Sequence, residues 1–569
     1  MKRSLLVFGL FLVSVTVFSR EIGKDEALRY ASQFFGESST GNLELVWTGS
    51  SSSHPAFYAI NRKGGGFVIV SGEESVKPLL GYSYTGSFKH KSMPANLQAW
   101  FDVLEKDIAV VRSSNIEPDR KTMREWANPA RPMTKAGNGP KVLETAQWDQ
   151  GYPYNKECVM PDGSRAVTGC VATAMSILMR YYKYPEHGSG TLSGYVTSSL
   201  GYSIPGFSIS DHVYDWESMP LKAQDVKDAS DEQKDQIARI MHDCGVMVKM
   251  DYSSSGSGAV SANVPPALAK FMGYSANAVL YHKDLFTPEE WESMLKAEID
   301  KDRPIYYNAQ DAGGAGGHAF IVDGYDDNGL FSLNWGWSGS NNAFYTLDLE
   351  VDGLRFSNDA GAILGLSPDP EKASEAIPFI SLKGAGISLV SGKIEKGKTF
   401  TIEANRVEND GYATFRGPFM IVLTDKDGNI KDKVSSAVIK EIKSLYYEGI
   451  RFTECMLPDN AAFSDRLALA VKLTDESDYT ILRYDVKNGT INSIAMVPSF
   501  ILAKKLYSAG EKFEFRLFTS GEFIRKVVWY FDGVETAEPV TLTTGTHEVK
   551  AVITKTGSTE TLVREIIVN

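Results

Sequence analysis

The stretch Val167-Thr168-Gly169-Cys170-Val171-Ala172-Thr173-Ala174-Met175 sets one cysteine directly after a glycine turn, at the first position of a run that reads as a buried helix. The unpaired amides and dipole of a helix start favour negative charge, so a thiol placed there is expected to ionise below its ordinary value of about 8.5. A base must then take and return the proton. Far downstream the chain carries Gly316-Gly317-His318-Ala319-Phe320-Ile321-Val322-Asp323-Gly324, followed by Leu333-Asn334-Trp335-Gly336-Trp337-Ser338-Gly339. Both have the apolar, β-branched composition of buried strands broken by glycines. Just upstream of the cysteine lies Trp148-Asp149-Gln150-Gly151-Tyr152-Pro153-Tyr154-Asn155. Taken alone, a cysteine at a helix start is most often a small buried hydrophobe. The four segments in this order point instead to nucleophilic catalysis, with Cys170 attacking, His318 shuttling the proton and Asn334 aiming the imidazole.

The other histidines, His54, His90, His187, His212, His242, His282 and His547, lack the glycine-flanked strand context, and His187, nearest to Cys170, sits in a turn after the helix. Hydrolysis also needs donors for the oxyanion. The Cys170 amide is one, and the side-chain amide of Gln147 or Gln150 is the candidate second.

The segments from Gln150 to Asn155, Thr168 to Ala174, Met250-Asp251-Tyr252-Ser253-Ser254, Gly317 to Phe320 and Asn334 to Trp337 resemble the streptopain/interpain family of secreted, papain-like bacterial cysteine proteases. Upstream, Gly66-Phe67-Val68-Ile69-Val70-Ser71-Gly72 and Leu80-Gly81-Tyr82-Ser83 are similar to the family's propeptide, so the resemblance covers residues 24–368. It implies that Gln150 rather than Gln147 is the oxyanion donor and that Trp335 and Trp337 shield the His–Asn hydrogen bond. It also implies that Asp251 and Tyr252 belong to a segment lining the cleft, with a preference for an apolar side chain one residue before the scissile one (P2). Asp251 can alternatively select basic side chains or cap its own loop. Asn334, where a transglutaminase-like enzyme of related fold would carry Asp, favours proteolysis. The resemblance offers no counterpart to Cys158, which leaves the redox state of that loop open. No cofactor is implied.

At 569 residues and 43% hydrophobic, the chain exceeds one core and should divide into about three to five domains. Its net charge of −12 argues against nucleic acid, which needs a basic face. The local basic cluster of Arg120, Lys121, Arg124, Arg131, Lys135 and Lys141 reads as a solvated, protease-accessible connector. Residues 1–19 have the charged start and apolar core of a secretory signal peptide. Their apolar run is shorter than the ~20 residues of a spanning helix, so the product is expected in the periplasm or outside the cell, with no integral membrane segment. Cys158, Cys170, Cys244 and Cys455 show no paired short spacing, so no metal site is expected from them; buried free thiols are the expectation for the three outside the site, with a Cys158–Cys244 disulfide as the alternative.

The expected class is α+β. Residues 20–141 form an α+β propeptide ending in an activation linker between Asp119 and Pro140, and residues 142–368 a two-lobed papain-like peptidase domain, helical around Cys170 and sheet-like around His318 and Asn334. Residues 369–498 form an all-β sandwich and residues 499–569 a small immunoglobulin-like β domain. Asp326-Asp327-Asn328-Gly329 and Asp425-Lys426-Asp427-Gly428 read as hairpin turns rather than cation loops. The expected function is a secreted cysteine endopeptidase made as a zymogen, acting on proteins and peptides and held by its own propeptide. The competing class is a surface or adhesion protein whose β domains bind a partner and whose peptidase fold is a relic; the presence of all four site residues argues against it.

Overall fold

The computed structural model describes residues 20–49, 54–114, 116–129, 140–310, 317–349, 351, 359–462, 464–484, 493–495, 500–504, 506–518, 524–536, 538–555 and 558–569. The signal peptide expected at 1–19 and the connector residues 130–139 lie outside them. Among the described residues no helix is long and apolar enough to cross a membrane. The chain divides into two compact units, one of residues 1–267 and 288–360, the other of 268–287 and 361–569.

The first unit begins with helix α1 (Lys24–Phe35), which buries Ala27, Tyr30, Ala31 and Phe34 on one face, as their spacing predicts. Four antiparallel strands follow, β1 (Leu43–Thr48), β2 (Phe57–Arg62), β3 (Phe67–Ser71) and β4 (Leu79–Ser83), with helix α2 (Ala95–Ser113) after them. This N-terminal sheet does not stop at its own boundary. Strand β4 pairs with Ala343–Tyr345, which pairs with Phe331–Asn334 (the asparagine strand), then Gly317–Tyr325 (the histidine strand), then Ile305–Gln310. The Tyr82 hydroxyl, from β4, donates to Asp326 at 2.6 Å. Asp326 also accepts the amides of Asn328 and Leu330, closing the expected hairpin turn.

Helix α3 (Arg120–Ala127) corrects the reading of 119–140 as linker throughout. Asp119 caps it by accepting the Thr122 amide at 2.6 Å, and Trp126 packs its ring on Tyr30 and donates to the carbonyls of Glu74 and Val76. After the undescribed residues, β5 (Lys141–Val142) lies along Gly324 and Tyr325 of the histidine strand.

Helix α4 (Cys170–Tyr182) buries every residue from Val171 to Arg180. Fully buried Ile177 and Leu178 each stabilise the lobe by about 1.5–3 kcal/mol. The helix packs on Asp231–Met247, itself started by a Ser230/Gln233 capping box.

In the second unit, strands Val279–His282 and Gly361–Leu364 pair with each other. A boundary at residue 368 does not separate them from the β domains. The Tyr281 ring meets Phe379 at 4.9 Å, and the Arg483 guanidinium lies 4.5 Å over Phe286. The sandwich has one sheet of Ile380–Gly392, Thr399–Asn409 and Tyr446–Met456, and a second built around Phe415–Thr424 and Arg466–Val471, with a shared core including Leu382, Ile402, Phe419, Ile450 and Leu469. Asp425 accepts the amides of Asp427 and Asn429, the expected hairpin turn. The last domain centres on Ile524–Phe531, Gly545–Lys555 and Ser558–Val568.

Candidate active site

Cys170 owes its position to Gly169, which has φ 83°. A Cβ there would lie 2.8 Å from both the Ser257 carbonyl and the Met250 sulfur, so glycine is required twice over. The turn is pinned around it. The Thr168 amide donates to the Gln150 carbonyl at 3.1 Å, Ser257 Oγ to the Val167 carbonyl at 2.7 Å, and Thr173 Oγ1 to the Gly169 carbonyl at 2.9 Å. Cys170 keeps part of its surface open. Burial nevertheless pushes its thiol up from the ordinary value, against the backbone N–H groups of Ala319, Val171 and Cys170, which favour the thiolate. The expectation of a lowered thiol pKa is therefore corrected for this form of the chain: desolvation outweighs the helix start.

The histidine strand meets the thiol at Ala319, one residue past His318. His318 itself, with Phe320, Tyr307 and Ala309, lines a cavity whose other wall includes Asn96, Ala99, Trp100 and Val103 of α2. That helix is anchored on the sheet. Asn96 Nδ2 donates to the Trp335 carbonyl at 2.7 Å and Trp100 Nε1 to the Thr346 carbonyl at 2.9 Å.

Asn334 is 1% exposed. Its Nδ2 donates to Thr145 Oγ1 and to the Ala146 carbonyl, each at 2.9 Å, while its Oδ1 accepts the Gly336 amide at 3.1 Å. Trp335 is buried against Phe320 and Tyr345 and donates to the Asn341 carbonyl, whereas Trp337 is half-exposed. Gln150 is buried, its backbone carbonyl tied to Thr168 two residues before Cys170; Gln147 packs its side chain against Gly339 instead.

Asp251 and Tyr252, expected to line the cleft, lie in the segment whose Met250 and Ser257 crowd Gly169. Asp251 accepts from the hydroxyls of Ser198 and Ser199 and from the Ser199 amide, which hold its carboxyl below the usual range against the opposing effect of burial. Tyr252 is 1% exposed, with its hydroxyl so close to Gly245 that a Cβ there would stand 2.0 Å away. Cys158, Cys244 and Cys455 are buried free thiols.

Sequence reasoning missed Asn96, Trp100, Thr145 and Asp323. Asp323 had a signal, as the one acidic residue within the apolar run after His318. Asn96 and Trp100 had none, because their partners are some 240 residues away.

Residues 148–345 match the Peptidase C10 family and residues 19–108 the Spi protease inhibitor family. The chain is 32% identical over 410 residues to streptopain of Streptococcus pyogenes, covering 64% of this chain and 97% of streptopain. It is 30% identical over 402 residues to the thiol protease/hemagglutinin PrtT of Porphyromonas gingivalis, covering 66% of this chain but only 46% of PrtT. Among solved structures, a prointerpain A fragment of Prevotella intermedia is similar at 26% identity and TM-score 0.47, covering 57% of this chain and all of that fragment (100%).

Proposed function

Because the chain belongs to the Peptidase C10 family and is a cysteine peptidase, we propose that it is a secreted endopeptidase made as a latent precursor, hydrolysing peptide bonds in proteins through Cys170, His318 and Asn334. The observation that carries this reading is the meeting of the Cys170 thiol with the histidine strand at Ala319, while His318 lines a cavity walled by α2. The thiol meets the strand that carries His318, which supports the pairing, and residues of α2 share the cavity that His318 lines.

When α2 leaves, the imidazole turns to the thiol and takes its proton, and the thiolate attacks the scissile carbonyl. The Cys170 amide and the Gln150 side chain hold the oxyanion. His318 returns the proton to the leaving amine, and water then opens the acyl-enzyme by the same route in reverse. Asn334 Oδ1 accepts from the imidazole and keeps it facing the sulfur, with Trp335 and Trp337 excluding water. The hold of Ser198 and Ser199 on Asp251 favours loop capping over selection of basic side chains, and with it an apolar P2 residue. Export follows from residues 1–19. The two β domains are read as immunoglobulin-like modules that bind a surface or protein partner, a role the fold alone does not specify.

An irreversible cysteine-protease inhibitor of the E-64 type should label the chain strongly after removal of the N-terminal unit and weakly before. Equal labelling in both forms would remove the basis for latency. Among the mature enzymes, Asn334→Ala should retain more turnover than His318→Ala, since it removes only the group that aims the imidazole. Gln150→Ala should lower kcat roughly 10²–10³-fold, and a neutral Gln150→Ala beside a damaging Gln147→Ala would move the oxyanion hole.

The activation cut can be placed further. Helix α3 withholds Arg120, Lys121 and Arg124 from an extended protease-bound conformation, and Lys141 is paired in β5 with its ammonium 3.0 Å from Asp302. Arg131 precedes Pro132, which leaves Lys135. N-terminal sequencing of trypsin-activated protein should find Ala136; a start after Lys141 would show that β5 opens first.

A further inference from the structure

Behind Asn334 lies a chain of hydrogen bonds that the mechanism above does not use. Thr145 Oγ1 accepts from Asn334 Nδ2 at 2.9 Å and donates to Asp323 Oδ2 at 2.6 Å. A hydroxyl that gives its one proton to a carboxylate has only lone pairs left for Asn334, so the amide must present its nitrogen. The Ala146 carbonyl enforces the same orientation. Oδ1 is thereby turned the other way, to Gly336. The segment bearing Thr145 is laid against the histidine strand by the Leu143 amide, which donates to the Asp323 carbonyl at 2.7 Å, and by Gly324, where a Cβ would lie 2.4 Å from the Lys141 carbonyl.

We infer that Thr145 and Asp323 are positioning residues that orient the Asn334 amide, so that the segment just after the activation cut becomes a working part of the active site. The inference rests on the reading of Asn334 given above. It goes beyond it by assigning roles to two residues outside the triad and by setting a limit on maturation: a cut after Thr145 leaves the asparagine without its hydroxyl partner.

Asp323 adds a pH dependence. Burial pushes its carboxyl up to about 6, against the hydroxyls of Ser332 and Thr145 and its own backbone amide, and no charged side chain is among the groups acting on it. Protonated, the carboxyl still offers an oxygen to Thr145, but the charge-assisted hydrogen bond becomes a neutral one of about half the strength, and the hold on Asn334 loosens. Turnover should therefore fall as pH drops through about 6. The linkage to stability has the opposite sign. Between the unfolded value of 3.8 and about 6 the folded chain binds more protons, so stability falls as pH rises through that window. A carboxylate kept in its charged form at the expense of stability fits a functional role.

The test uses the full-length precursor activated with trypsin. Thr145→Val should lower kcat roughly tenfold with KM unchanged, and Thr145→Ser should restore it. Asp323→Asn, which keeps an acceptor for Thr145 but does not titrate, should lose the limb of kcat near pH 6, while the pH profile of thiol alkylation by iodoacetamide keeps its shape. Wild-type kcat in Thr145→Val, or an unchanged limb in Asp323→Asn, overturns the inference even where Cys170→Ala and Asn334→Ala behave as proposed. If Thr145→Val does not fold, the Asp323→Asn profile decides alone. If Asn334→Ala is itself neutral, the reading of the asparagine fails, and not merely that of its supports.

Discussion

Cys170→Ala is expected to abolish azocasein hydrolysis, even after trypsin treatment, with the circular dichroism spectrum of the precursor unchanged. The effect should be total because the sulfur supplies the bond-forming electron pair, and no neighbouring group replaces it. Folding should survive because the turn is held by Gly169, Thr168, Thr173 and Ser257 rather than by the thiol. Cys158→Ala and Cys244→Ala serve as controls. Both thiols are buried, and burial pushes each up to about 12, so neither is a nucleophile near neutral pH. Activity near wild type in Cys170→Ala, or its loss in either control, would reject the assignment.

Removal of the N-terminal unit should raise activity about a hundredfold, the change expected if the competent arrangement rises from roughly one molecule in a hundred to nearly all. The contacts to be broken are specific. Tyr82 binds Asp326, Asn96 the Trp335 carbonyl and Trp100 the Thr346 carbonyl, and β4 pairs with Ala343–Tyr345. Removal therefore exposes the edge of a sheet as well as the cavity at His318. Asn96→Leu combined with Trp100→Ala in the uncut precursor should release part of the same activity, because these side chains anchor the helix that walls that cavity. Measuring peptide hydrolysis of the cut, uncut and doubly substituted forms side by side separates the possibilities. An uncut precursor as active as the cut one would end the case for latency, and a silent double variant would place the restraint in the strand pairing instead.

Much of this was legible in the chain itself. The glycine before Cys170, the apolar run after it, and the glycine-flanked histidine and asparagine segments marked the helix and the two strands that carry the candidate site residues, because helix starts and buried strands are written in local composition. The helical face of α1 and the hairpin turns at Asp326 and Asp425 were local in the same sense. The departures all depended on distant partners. Residues 120–127 are polar and basic, yet Trp126 finds the core beside Tyr30 and turns a connector into a helix. The thiol at a helix start is raised rather than lowered, since burial outweighs the backbone N–H groups of Ala319, Val171 and Cys170 that favour the thiolate. Sequence by itself pointed to cysteine-peptidase chemistry and to the candidate residues for it. Tertiary structure decided what surrounds those residues, because the wall opposite His318 and the hydrogen bonds behind Asn334 come from residues far away in the chain, beside a sheet that runs from the N-terminal unit through the histidine strand.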